Sequence, residues 1–276
     1  MSIQHRVQHF LDTPIGQIPK KLLATFFPNW LRDPFQKLKR LPRFTTGETV
    51  LFSKKITIAD GPSFVSMYKE LFEHEIYKFS SNTDHPVIID CGANIGLSVI
   101  YFKRLFPEAK ITCFEPDPRI FKILQSNIAA FGLREIHAEQ KAVFNKEIDL
   151  QFYAQGGDGG RLANSSENNK TIIVSAVRLR EYLHEKIDFL KIDIEGAEGE
   201  VIEDCADLLA NVDNLFVEFH SFDGQEQHLD TILRAIHNAG MRYYIHPIGI
   251  QSAHPFYEKK TYEGSDMQLN IFACRK

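Results

Sequence analysis

The sequence predicts an α/β fold built on a mostly parallel sheet, and three observations carry that expectation. From Val87 onward, short apolar runs alternate with amphipathic segments, the pattern of strands joined by crossover helices. The run Val87-Ile88-Ile89-Asp90-Cys91-Gly92-Ala93-Asn94-Ile95-Gly96 reads as a buried strand, a glycine turn and the start of a helix. Two successive strands end in an acid, Asp90 and then Glu115, where open α/β sheets bind ligands.

Residues 1–46 differ in kind. Lys20, Lys21, Arg32, Lys37, Lys39, Arg40 and Arg43 interleave with Phe26, Phe27, Trp30, Leu31, Phe35 and Leu38, and prolines cut the stretch into short pieces. One long amphipathic helix is therefore excluded. A cap packed on the surface is expected, with peripheral membrane contact and homo-oligomer formation left open. Thr49–Phe52 and Lys55–Ile58 suit a hairpin. Ser63 reads as the cap of a helix whose stripe is Phe64, Met67, Tyr68, Leu71 and Phe72. Tyr77 and Phe79 either cover a ligand or pack in the core. The division expected is an extension over 1–80 and a ligand-binding domain over 81–276.

The second part is read as strand 87–91, helix 96–106, a strand ending at Glu115, and a helix from Pro118 to a Gly132 stop. A third strand spans Ile136 to Phe144. Ile148–Tyr153 and Thr171–Val177 read as further strands, and the glycine-rich loop Gln155–Arg161 between them is a hairpin turn or a lid. Asp188–Ile194, a helix over 197–209, Asn214–His220, a helix over 226–239, and the strand pair 243–246 and 268–273 complete the chain.

A dinucleotide turn wants G-x-G-x-x-G, but here Asn94 stands where the second glycine would lie. Asp90 suits an amino group better than a phosphate, and Glu115 can accept both hydroxyls of a ribose. S-adenosylmethionine offers an α-amino group, a carboxylate and a ribose together, so it is the expected cofactor. A nicotinamide-dependent oxidoreductase is the alternative that Asn94 disfavours.

Asp90-x-Gly92-x-Asn94-x-Gly96, Phe114-Glu115-Pro116, Val217-Glu218-Phe219-His220 and the run Asp188-Phe189-Leu190-Lys191-Ile192-Asp193-Ile194-Glu195-Gly196-Ala197-Glu198 together resemble the FkbM-type family of S-adenosylmethionine-dependent methyltransferases. The resemblance spans about Gly47 to Ile245. It implies a class I methyltransferase (Rossmann-like) sheet of seven strands, ordered 3-2-1-4-5-7-6 with the last antiparallel. It further implies an adenine site near Lys141, Ala142 and Val143, and O-methylation of a hydroxyl on a sugar, glycan or natural product.

Cofactor contacts are therefore expected from Asp90, Gly92, Asn94, Gly96, Glu115, Pro116, Ala142 and Asp193. Strand alternation sets Lys191 and Asp193 beside Glu218 and His220, and polar groups this dense on central strands are costly unless paired or used. His220 is the expected general base, with Asp193 orienting it or touching the acceptor. A purely structural reading of Lys191 is a buried ion pair with Asp193 or Glu218. A divalent cation on Asp193, Glu195, Glu218 or His220 is a further alternative that spacing alone does not favour.

Composition sets the outer bounds. The net charge of −4 gives no reason to expect a nucleic-acid partner. Cys91, Cys113, Cys205 and Cys274 form no C-x-x-C pair, so a zinc site is not expected, and free thiols suggest a reducing, cytoplasmic setting. No stretch approaches the ~20 apolar residues of a membrane span. A non-enzymatic cofactor-binding protein of the same fold stays open; Asp90, Glu115, Asp193 and His220 all being present argues against it.

Overall fold

The computed structural model describes residues 35–154, 161–162, 171–262 and 264–275. A single turn, α1 (Gln36–Lys39), leads into the hairpin β1 (Gly47–Leu51) and β2 (Lys54–Ile58), then α2 (Gly61–Tyr68), which ends in a π turn over Lys69–Glu73. Asp60, not Ser63, caps α2: its carboxylate accepts the Ser63 amide at 3.0 Å and the Ser63 hydroxyl at 2.6 Å. A charged acceptor outbids a hydroxyl three residues further on, inside the first turn.

Next come β3 (Val87–Cys91), α3 (Leu97–Leu105), β4 (Lys110–Phe114), α4 (Pro118–Phe131) and β5 (Ile136–Glu139). The strand expected over 136–144 breaks at the polar run Glu139-Gln140-Lys141. β5 stays in the main sheet, while β6 (Ala142–Phe144) joins a small sheet with β7 (Asp149–Tyr153), β8 (Arg161–Leu162) and β9 (Thr171–Arg178). The chain returns through β10 (Ile187–Ile192), α5 (Glu198–Asp204), β11 (Val212–Phe222), α6 (Leu229–Asn238), β12 (Arg242–Ile248) and β13 (Ser265–Cys274). α5 stops five residues short of the expected Leu209. Glu203 and Asp204 oppose the helix dipole at that end, and Asp204 turns out to pair with Arg178.

The main sheet has the order β12-β13-β11-β10-β3-β4-β5. Numbered by position among these seven, that is 3-2-1-4-5-7-6 read from the other edge. β13 runs antiparallel to both β11 and β12, and the rest pair parallel. This is the class I methyltransferase sheet that the resemblance implied.

Helices cover both faces. One apolar cluster joins Leu51, Ile58 and Phe64 of the N-terminal elements to Phe102, Leu124 and Phe189 of the sheet layer, and Phe35 and Leu38 pack against it. Tyr77 and Phe79 belong to the same cluster; Tyr77 lies 4.7 Å from Phe216, ring to ring. The second cluster fills the opposite face, from Ile89 and Leu190 to Ile202, Phe219 and Ile236. Among the described residues no helix is long and apolar enough to cross a membrane.

Candidate active site

A cavity of about 380 Å³ opens at the carboxyl ends of β3, β4, β10 and β11. Gly92, Asn94, Glu115, Pro116, Ala142, Lys191, Asp193, Glu195, Glu218 and His220 line it. The sheet order sets Glu115 beyond β4 at one end and Glu218 and His220 on β11 at the other, with Gly92 between them against Lys191. Two residues expected to touch a cofactor stand off this wall. Asp90 is fully buried behind it, accepting from the Ser98 hydroxyl at 2.5 Å and paired with Lys191 at 3.2 Å. Gly96 faces α4: a Cβ there would meet the Leu124 side chain at 2.7 Å. Gly92 has a left-handed φ of 89°, and a Cβ on it would sit 1.9 Å from the Asp193 carbonyl oxygen. Its small size serves the approach of two strand ends rather than of a ligand.

Asn94 also takes a left-handed φ, 49°, with its side-chain oxygen on the Ile95 amide. Short polar residues reach that region because the side chain can bond locally. Asn127 of α4 pins the turn from behind. Its amide donates to the Ile95 and Thr57 carbonyls, tying hairpin, turn and helix together.

Glu115 is braced by the amides of Asn94, at 3.0 Å, and Asp117, at 2.9 Å. One oxygen accepts each bond, which leaves lone pairs on both for a pair of hydroxyls. Burial pushes its carboxyl up to about 8, against the pull of those two amides. Asp117 meanwhile caps α4 by accepting from the Arg119 and Ile120 amides.

At the other end, Lys191 sits between Asp90 and Asp193, 3.2 Å from each, and donates to the Gly92 carbonyl at 2.8 Å. Burial would lower its affinity for a proton, but Asp193 and Asp90 outweigh that and hold the ammonium charged. The ion pair expected on structural grounds therefore exists, with Asp193 and not with Glu218.

His220 is buried among carboxylates. Nδ1 lies 3.1 Å from Glu198, and Nε2 lies 3.4 Å from Glu195 and 3.6 Å from Glu218. Burial disfavours its protonated form, yet Glu195 and Glu198 outweigh burial and raise it well above the ordinary histidine range. An imidazole that retains its proton is a poor acceptor for another, so the surroundings weaken the expectation that His220 is the general base. Burial, then Asp193, raises the carboxyl of Glu218, which moves it toward the range of a working base.

Glu198 and Gln268 were given no role from sequence. Glu198 opens α5, accepts the Gly196 amide at 2.9 Å and so braces the turn that carries Asp193 and Glu195. Glu195 in that turn has a left-handed φ of 58°. Gln268 of β13 lies opposite His220 in register, and its amide nitrogen is 2.9 Å from both Glu218 and His220 Nε2. Gln268 and Asn270, polar residues alternating with Met267, Leu269 and Ile271, were the available signal. The loop over 155–160 and the basic aromatic segment 1–34 lie outside the described residues.

Residues 90–243 match the family described as "Methyltransferase FkbM domain". Among curated proteins, "Methyltransferase 1" of Beauveria bassiana (strain ARSEF 2860) is 27% identical over 195 residues, covering 61% of this chain and 78% of that protein. "Methyltransferase sdnD" of Sordaria araneosa is 32% identical over 174 residues, covering 50% and 67%. "2-O-methyltransferase NoeI" of Sinorhizobium fredii (strain NBRC 101917 / NGR234) is 28% identical over 172 residues, covering 55% and 69%.

Proposed function

Because this chain belongs to the FkbM methyltransferase domain family, we propose that it moves a methyl group from S-adenosylmethionine to a hydroxyl of a sugar, glycan or other small natural product. The observation that carries this reading is the two-ended cavity. A braced carboxylate, Glu115, suits a ribose at one end, and a group of acids at the other suits neutral hydroxyl donors. Anionic acceptors would be repelled by Asp193, Glu195 and Glu218. The relative NoeI, a 2-O-methyltransferase, supports oxygen as the acceptor atom.

In this reading the ribose hydroxyls donate to Glu115 and the adenine lies near Ala142. Lys191 holds the Gly92 turn and Asp193 in place. The acceptor oxygen attacks the methyl carbon as the carbon–sulfur bond breaks. Its proton passes to Glu218, and neutral S-adenosylhomocysteine leaves. His220, between Glu195 and Glu198, offsets the mutual repulsion of those acids.

Calorimetry with S-adenosylhomocysteine tests the cofactor end. Glu115→Ala should weaken binding by roughly 2–4 kcal/mol; unchanged affinity in a folded variant would remove the assignment. The acceptor end is tested by incubating hydroxylated compounds with the methyl donor and reading the mass gain of one methyl group. On an acceptor found in this way, Glu218→Gln should lower turnover by roughly 10²–10⁴-fold without changing affinity for S-adenosylhomocysteine. Near-normal turnover would take Glu218 out of the mechanism.

A further inference from the structure

We propose that Asp193, Glu195 and His220 bind one divalent cation of the magnesium or manganese class at the acceptor end of the cavity. The site stands on these residues alone and not on the methyl-donor reading. One donor atom from each lies within 4.8 Å of the others. An octahedral cation with bonds of about 2.1 Å holds its donors roughly 3–4 Å apart, so only a small contraction is needed. The Glu195–His220 separation of 3.4 Å already falls in that range.

The imidazole is oriented as a ligand. Its Nδ1 faces Glu198, which directs Nε2 toward Glu195, and a carboxylate behind a histidine is the usual support of a metal-bound ring. The Gln268 amide nitrogen lies 2.9 Å from Nε2 and donates to Glu218 at the same distance. A cation takes the Nε2 lone pair while the amide stays on Glu218, and any proton on Nε2 is released.

Charge points the same way. Among the described residues, Asp90, Asp193, Glu195, Glu198 and Glu218 are paired with two basic groups, Lys191 and His220. Lys191 is spent on Asp90 and Asp193. Glu198 supplies an independent sign: it is fully buried, and its second oxygen has no hydrogen-bond partner among the described residues. A buried carboxylate in that state favours positive charge nearby, and a cation on Nε2 maintains it once the ring gives up that proton. The ligand set of two carboxylates and one imidazole leaves coordination positions for water or for an acceptor hydroxyl, whose proton the cation would loosen beside Glu218.

The test is manganese titration of the full chain, followed by electron paramagnetic resonance. One equivalent should bind per chain, with nitrogen coupling from His220 in the spin-echo modulation. Glu195→Gln and His220→Asn should each weaken binding at least ~10–100-fold, with thermal unfolding and S-adenosylhomocysteine binding read in parallel to verify the fold. No bound manganese at millimolar concentration, or binding without nitrogen coupling, overturns the site whatever the variants do. Binding undiminished in both folded variants also overturns it. Manganese bound as described by a protein that ignores S-adenosylhomocysteine would leave the metal site standing and remove the methyl-donor reading.

Discussion

Glu115 shows how one residue couples a site to pH. Its carboxyl is pushed from an ordinary 4.5 up to about 8 by burial, while a pair of ribose hydroxyls bonds best to the ionised form, which accepts on both oxygens. Cofactor binding should therefore release a proton near neutrality, and affinity should rise by at most about tenfold per pH unit up to about 8, then level off. Calorimetry in buffers of different ionisation enthalpy measures this; a flat profile from pH 6 to 8 would contradict it. The stability sign is opposite. An acid whose folded value is raised binds more protons folded than unfolded, so its contribution is lost as pH climbs from 4.5 through about 8. Gly92 makes a second point at this scale. The sequence placed it in a glycine turn expected to touch a cofactor, and the contact that demands glycine there is the Asp193 carbonyl. Gly92→Ala should cost roughly 3 kcal/mol or more in chemical denaturation, from the left-handed backbone and the clash together.

At the scale of elements, legibility followed periodicity. β3, β4, α4 and β11 could be read because apolar runs and caps such as Asp117-Pro118 and Gly132 are local signals. The break between β5 and β6 could not, because both halves are strand-like and only the sheet each one joins distinguishes them. The acidic turn between β10 and α5 was legible as a motif, since Lys191, Asp193 and Glu195 alternate on a central strand and its end. What sequence spacing did not give was the neighbour of each group. Lys191 chose Asp90 as well as Asp193, and His220 acquired three carboxylates, which altered its expected chemistry. α2 offers a direct test of packing: Phe64 is fully buried, with Phe35 and Tyr68 against its ring. Phe64→Ala should lose about 3–5 kcal/mol of stability.

For the whole molecule, the division at residue 80 reads differently in three dimensions. Residues 47–79 supply Leu51, Ile56, Ile58, Phe64 and Tyr77 to the same cluster as Phe102 and Leu124, and Asn127 is bonded to the hairpin backbone. The N-terminal elements thus form one face of the core. A chain beginning at residue 80 should expose that face, bind hydrophobic dyes and lose its cooperative thermal transition. A sharp transition near that of the full chain would show that the sheet can close without them.

The placement of β13 sets an order of assembly. It inserts between β11 and β12, and the residue it delivers to the cavity, Gln268, meets a Glu218 made 50 residues earlier. While a ribosome is still reading the codons between them, β11 has an open edge and the acidic pocket lacks one wall. The Glu115 end needs nothing from that late strand, because its bracing comes from Asn94 and Asp117. A nascent chain could thus hold a nucleoside before it could hold an acceptor. The unpaired β11 edge would also be the stretch most in need of a chaperone during that interval.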